Sequence, residues 1–353
     1  MKITRRAFQT SIAALPAAAA AGGAPQQQSG GPLRIVTTYQ FEPFEVEKIK
    51  SAAPGAAVEI IMCNSRDEFR SKLREADIVY GNFGGQDLDY APRLKWLQAG
   101  GAGMESMDDK LRQSPLVITN YARTFAPGIT ETGMGLLLCL TRGLSKYYMP
   151  QFARRQMKPV GTVKSDHHVE LVGRTMAIVG MGGIGSTLAR RAYYGFDMKI
   201  IATDAKPMPK PDHVAELHDP GWFMKMVPQA DVLVAAAPST PQTRRMFNER
   251  VFRSMKKTAY FLALSRGDLY DDMALAKALK EGWISGAGLD VTPQEPLPGD
   301  HPLFDSPNVV MSAHTSGWSP DRQVRLIDLF AENVRRYSEG IPLVNVVDKV
   351  KGY

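Results

Sequence analysis

Cysteine is scarce: Cys63 and Cys139 alone in 353 residues, too few for a disulfide framework or a structural zinc site. Each lies in an apolar stretch and reads as a buried free thiol. The apolar runs are too short for a membrane-spanning helix. There is no repeat of fixed period and no low-complexity tract beyond the N-terminal segment, so a solenoid is excluded. A clustered basic stripe is also missing: the net charge of +7 is modest, and loss of Lys2, Arg5 and Arg6 with a leader would leave +4. Nucleic acid is therefore not expected as a partner, whereas a mild positive bias suits small anionic substrates. What is present is 44% hydrophobic and 22% charged residues, the balance of a soluble globular protein with room for two domains of ordinary size.

Residues 1–31 do not read as fold. Arg5-Arg6 followed by Phe8, an alanine-rich run to Ala21 and a polar Gln26-Gln27-Gln28 linker resemble a twin-arginine (Tat) signal peptide with its small-residue cleavage region. The expectation is a folded protein handed to the Tat export machinery and found in the periplasm, with no stable membrane insertion of the mature chain. A plain N-terminal tail, and with it a cytoplasmic protein, is the alternative.

The most informative stretch runs from Gly173 to Arg191. A short apolar run, Met176 to Val179, ends in Gly180-x-Gly182-x-x-Gly185 and passes into a helical segment. Strand, tight turn and helix in this order form a dinucleotide-phosphate site, because the turn glycines admit backbone close to a pyrophosphate at the positive end of the helix. An ordinary glycine-rich turn is the bland alternative. A second strand, Met198 to Thr203, ends at Asp204, about 20 residues on, where a carboxylate would hold ribose hydroxyls and repel a 2′-phosphate. The spacing predicts NAD rather than NADP.

The remaining chain alternates strands and helices of the size that builds parallel sheets. Strands are expected at Leu33 to Thr37, Val58 to Met62, Ile78 to Tyr80, Leu94 to Gln98, Leu116 to Asn120, Ala230 to Pro238, Ala259 to Leu264, Ile284 to Leu289 and Val309 to Ser312. One long helix is expected over Thr130 to Tyr148. A last helix spans Asp321 to Tyr337, with Val324, Ile327, Leu329 and Phe330 facing inward. His167 and His168 read as loop residues rather than metal ligands, and no metal is expected. After the Leu94 strand, backbone N–H groups at Ala102 and Gly103 could hold a carboxylate, or form a plain turn.

Three strand ends carry polar groups: Ser265-Arg266-Gly267-Asp268, Asp290 through Glu295, and Ser312 through Gly317 with His314. In an open α/β sheet such ends meet at one crevice. Arginine can hold a substrate carboxylate, histidine is the proton donor and acceptor near neutral pH, and a glutamate beside it fixes its tautomer. Singly, each residue could be a capping arginine, a solvated acid or a turn histidine; their joint appearance is the signal.

These segments, with the glycine loop, Pro238-Ser239-Thr240-Pro241, and Gly286 through Pro298, resemble the D-isomer-specific 2-hydroxyacid dehydrogenase family over nearly all of residues 33–353. The resemblance implies two Rossmann-like domains with doubly wound parallel sheets: a discontinuous substrate domain of residues 32–128 and 315–353, and an NAD-binding domain of residues 129–314 inserted between. It implies a homodimer formed through the cofactor domains. It implies Arg266, Glu295 and His314 as the catalytic set. Cofactor contacts are implied at Gly180, Gly182, Gly183, Ile184, Gly185, Asp204, Pro238, Thr240, Leu264, Ser265, Asp290, His314 and Gly317. Substrate contacts are implied at Ala102, Gly103, Arg266 and His314. Ala263 and Thr132 depart from the family pattern, which bears on loop shape and substrate choice. The expected activity is hydride transfer between NAD(H) and a small 2-keto or D-2-hydroxy acid; a dimeric NAD(H)-binding module without turnover is the alternative. Tyr39, Phe41, Phe44, Asn82 and Tyr121 are expected as candidates for the pocket wall.

Overall fold

The computed structural model describes residues 31–105, 107–159 and 168–352. Residues 1–30, where the twin-arginine pattern falls, and residues 160–167 of the basic segment, with His167, lie outside the described residues.

Strands β1 (Leu33–Thr37), β2 (Val58–Met62), β3 (Ile78–Tyr80), β4 (Trp96–Gln98) and β5 (Val117–Thr119) form a parallel sheet in the order β2-β1-β3-β4-β5. Helices α1 (Pro43–Ser51), α2 (Arg66–Lys72) and α3 (Asp109–Gln113) connect them. Their starts are set locally. Ser65 and Asp108 accept from backbone N–H groups of the first turns of α2 and α3, and Pro43 opens α1. The strands are rich in Ile and Val and covered on both faces, as parallel strands must be.

Helix α4 (Ala126–Thr141) leads away from this sheet. Its onset is four residues earlier than expected, with Pro127 in the first turn, and it does not continue to Tyr148. Gly143 adopts φ 67° and ends it, and Leu144–Tyr148 forms a separate wide turn before the short helix α5 (Met149–Ala153). Cys63 is buried as expected, but Cys139, on α4, is only half-buried.

The second sheet contains β6 (Thr175–Val179), β7 (Lys199–Thr203), β8 (Glu216–His218), β9 (Val232–Ala235), β10 (Tyr260–Ala263), β11 (Gly286–Leu289) and β12 (Val309–Met311). All are parallel, in the order β12-β11-β10-β9-β6-β7-β8. Its helices are α6 (Gly183–Phe196), α7 (Phe223–Met226), α8 (Glu249–Ser254) and α9 (Asp272–Lys280). Strand order reverses between β6 and β9, so the crevice of the doubly wound sheet opens outside the carboxyl end of β6. Strand β8 has no signal in the apolar pattern, because its three residues include only one apolar side chain.

Helix α10 (Pro320–Ser338) packs back on the first sheet. Ser319 caps it, and Leu326, Ile327, Phe330 and Val334 enter a core shared with Leu33, Ile35, Ile78 and Trp96. Phe330 is fully buried, and enclosing such a ring contributes roughly 2–3 kcal/mol. Val324, expected inside, is 49% exposed, and Leu329 is only partly buried. The inward stripe runs instead through residues 326, 327, 330, 334 and 337, the spacing of one helix face. Beyond α10 the chain stays on this sheet, with Val347 N–H donating to the Ile118 carbonyl at 2.8 Å.

Candidate active site at the carboxyl edge of the second sheet

The parallel register of β10, β11 and β12 sets Ala263, Leu289 and Met311 in one row. The segments that follow these residues therefore leave the sheet side by side. Arg266 follows β10, Asp290 and Glu295 follow β11, and His314 follows β12.

His314 Nδ1 lies 2.7 Å from Glu295 Oε2. A carboxylate only accepts, so the shared proton sits on Nδ1, and Nε2 is left as the nitrogen that exchanges a proton. Glu295 is itself held, since its Oε1 accepts from Thr292 N–H at 3.0 Å. The His314 backbone is in the left-handed region, φ 54°, and its N–H donates to the Asp290 carbonyl at 2.7 Å. The buried Asp290 carboxylate accepts from Ser312 Oγ at 2.8 Å, from Ser316 N–H at 3.2 Å and from Ser316 Oγ. Asp290 thus fastens both sides of the loop that carries His314, a bracing role that the sequence does not announce.

On the other side of the crevice, Gly180 has φ 95°, and a Cβ there would sit 2.7 Å from the Ala237 backbone; at Gly185 a Cβ would collide with the Gly180 carbonyl oxygen. Only glycine allows helix α6 to begin this close to β6 and β9. A Cβ on Gly183 would meet the Arg123 Cα at 2.6 Å, so the chain just before α4 crosses the same turn. Asp204 ends β7 beside this turn, its Oδ2 accepting from Met181 N–H at 2.6 Å and its Oδ1 from Lys206 N–H at 2.7 Å. Pro238 and Thr240 are tied by Thr243, which donates to the Pro238 carbonyl at 2.7 Å and accepts from Thr240 N–H at 2.8 Å. Ser265 Oγ donates to the Ala237 carbonyl at 2.8 Å, and Leu264 is buried beneath. Bare backbone at a helix N-terminus, a cradle that Cβ atoms would fill and an acid at the next strand end fit a dinucleotide. Gly182 through Gly185, with Ile184, would face its pyrophosphate, and Asp204 its ribose.

A family profile described as "D-isomer specific 2-hydroxyacid dehydrogenase, NAD binding domain" matches residues 134–316. The glyoxylate reductase of Korarchaeum cryptofilum is 30% identical over 319 residues, covering 87% of this chain and 91% of that one. The chain belongs to the D-isomer-specific 2-hydroxyacid dehydrogenase family. The D-3-phosphoglycerate dehydrogenase of Methanocaldococcus jannaschii is 28% identical, over 87% of this chain and 58% of that one. Among solved structures, an NADPH-dependent glyoxylate/hydroxypyruvate reductase from Sinorhizobium meliloti, in complex with NADP and sulfate, aligns with a TM-score of 0.72 at 25% identity. It covers 92% of this chain and 100% of that one. A family member from Xanthobacter autotrophicus, in complex with NADPH and MES, shares the fold with a TM-score of 0.76 at 22% identity, over 92% of this chain and 99% of that one. The protein is thus an oxidoreductase of the 2-hydroxyacid dehydrogenase family, built as two Rossmann-like units.

The first sheet reaches the crevice through the loop after β4. A side chain on Gly103 would collide with the Arg266 guanidinium and the Glu105 carboxylate, so Gly103 lies against the arginine, while the Ala102 carbonyl accepts from Asn120 Nδ2 at 2.8 Å. Arg266 Nε donates to Glu105 Oε1 at 2.8 Å, and Nη1 to the Ser265 carbonyl at 2.7 Å. A Cβ on Gly317 would lie 3.4 Å from the Phe125 side chain, just before α4. The expected wall residues separate. Phe41 and Tyr121 are core, stacked or edge-on in a cluster with Tyr80 and Phe330, while Phe44 is exposed on α1. Tyr39 is partly exposed, and its hydroxyl accepts from Gln323 at 2.7 Å. At Asn82 the backbone carbonyl accepts from Arg66 Nη1 at 3.0 Å. Sequence reasoning missed Glu105; its only signal was an acid two residues after Gly103. His168 meets the Tyr148 hydroxyl at 3.2 Å.

Proposed function

We propose that this protein interconverts a small 2-keto acid and the matching D-2-hydroxy acid, with NAD(H) as cofactor. The observation that carries the reading is the 2.7 Å contact of His314 Nδ1 with Glu295 Oε2, on the same sheet edge as Arg266. The dinucleotide, when bound, supplies or accepts the hydride. In reduction, His314 gives the proton on Nε2 to the carbonyl oxygen, and Glu295 offsets the charge of the imidazolium. Arg266 offers planar donors to the substrate carboxylate and balances negative charge developing on oxygen. Backbone N–H groups of Ala102 and Gly103 complete the carboxylate site, with Pro238, Thr240, Leu264, Ser265, Asp290 and Gly317 around the nicotinamide half of the cofactor. Glyoxylate reductases among the relatives support a substrate of a few carbons. The Asp204 carboxylate beside the glycine turn supports NAD over NADP, since it would repel a 2′-phosphate.

Two further features belong to this reading. The segment after α4 exposes Leu144, Met149, Phe152 and Met157, apolar surface that suits a homodimer formed through the cofactor unit. The twin-arginine pattern of residues 1–31 supports export by the Tat machinery, with the substrate unit at residues 32–128 and 315–353 and the NAD unit at 129–314 carried out folded.

The test is to isolate the mature protein from the periplasmic fraction and assay glyoxylate, hydroxypyruvate, pyruvate and longer 2-keto acids with NADH and NADPH. Oxidation of NADH with at least one of these acids is expected, at a higher kcat/KM than NADPH. No oxidation with any acid sinks the activity, preference for NADPH sinks the role given to Asp204, and protein confined to the cytoplasm sinks the export.

A further inference from the structure

We infer that Glu105 is a built-in competitor of the substrate's carboxylate for Arg266, and that it sets the affinity for 2-keto acids. The inference rests on the activity proposed above. A guanidinium grips a carboxylate best through two adjacent donors, either along its Nε and Nη2 side or across its two terminal nitrogens. Both arrangements are compromised here. The Nε–H donates to Glu105 Oε1 at 2.8 Å, Glu105 Oε2 and Arg266 Nη2 both crowd the place a Gly103 side chain would take, and Nη1 donates to the Ser265 carbonyl at 2.7 Å. The Glu105 carboxylate therefore lies beside Arg266 Nη2 in front of Gly103, on the Nε–Nη2 side of the guanidinium, which is where a substrate carboxylate would sit.

Glu105 comes from the first unit and Arg266 from the second, 161 residues apart in sequence, so the pair spans the crevice. Both side chains keep about a third of their surface open, 31% for Glu105 and 33% for Arg266. Glu105 thus has water to turn into when displaced, and a contact so exposed is weak enough to be exchanged for another carboxylate. The exchange is one carboxylate for another at the same donors. It costs affinity for substrate and leaves the proton path through His314 and Glu295 untouched. A carbonyl compound with no carboxylate cannot drive it, so Glu105 also favours acids over neutral carbonyls.

The test compares the wild type with Glu105→Gln, which keeps shape and removes charge, and with Glu105→Asp, which is too short to keep the contact. Oxalate binding to NADH-saturated protein is measured by calorimetry, and KM and kcat are measured with glyoxylate. For both variants the oxalate Kd and the glyoxylate KM are expected to fall about five-fold, with kcat held within about two-fold, as fits an exposed ion pair. A fall in kcat with KM unchanged would make Glu105 a positioning residue for Arg266 and overturn the inference. So would an unchanged oxalate Kd, or oxalate binding to none of the three proteins. Wild-type protein that turns over no 2-keto acid would defeat the proposed activity, yet the oxalate ratio would still decide the role of Glu105.

Discussion

His314 holds a left-handed backbone conformation that a non-glycine residue adopts only when its surroundings enforce it. The enforcing groups are the Asp290 carbonyl and carboxylate, and the result is an imidazole presented to Glu295 with little freedom to turn. Replacing His314 by Ala removes the proton donor and leaves the glycine turn and Asp204 in place. We expect kcat to fall about 10²- to 10⁴-fold, the usual worth of a positioned acid or base, with a far smaller loss of NADH affinity by fluorescence titration. Equal loss of turnover and cofactor binding would show a structural histidine instead. The strand ends that bear Arg266, Glu295 and His314 were legible in the sequence because each segment leaves an apolar run, with Arg266 and His314 close behind β10 and β12 and Glu295 farther along the loop after β11. Glu105 and the bracing by Asp290 were not, because each acts through a partner that only folding brings near.

At the scale of elements, the strands were the most legible feature, since runs such as those of β1, β2 and β6 are bounded by residues adjacent to them in sequence. Helices were less so. The expected helix over Thr130 to Tyr148 is interrupted by one glycine at φ 67°, a backbone choice that apolar periodicity does not register. The stripe of α10 was misread by including Val324, because a helix on a twisted sheet turns out of contact at its first turns. On that helix, Glu332 meets Arg335 at 2.8 Å and Arg336 at 2.7 Å, and Arg335 also pairs with Glu339. Hydrogen bonding from Arg335, and less from Arg336, holds the Glu332 carboxyl below its ordinary value of 4.5 against an opposing effect of burial. A depressed folded value adds stability above the unfolded value, and that stability is lost as pH falls through the folded one. Glu332 is 37% exposed, so solvent screening limits the contribution to about 1 kcal/mol at most. Glu332→Gln should lower the thermal midpoint slightly at pH 7 and match the wild type near pH 3; a gap that persists in acid would assign the effect to packing.

For the whole molecule, two sheets face one crevice, and the chain crosses between them at α4 and returns through α10. The segment from Leu144 to Met157 leaves this body with Met149 62% and Phe152 76% exposed, more apolar surface than a short polar-rich turn region usually shows. If it seats a second copy, Met149→Asp with Phe152→Asp should convert a dimer into a monomer by light scattering at micromolar concentration, with the circular dichroism spectrum retained. A monomeric wild type, or a variant of unchanged mass, rules that interface out.

The sequence by itself determined the parallel α/β architecture, the dinucleotide turn at Gly180 to Gly185, and the three strand ends that bear Arg266, Glu295 and His314. These rest on periodicity, turn chemistry and order along the chain, which neighbouring residues encode. Tertiary structure alone decided that Phe41 and Tyr121 are core and not pocket wall, that Asp290 clamps the His314 loop, and that Glu105 meets Arg266 from the opposite unit. Each of these depends on which surfaces approach after the sheets have formed, over separations of 26 to 161 residues for the two polar contacts, and no local pattern carries that information.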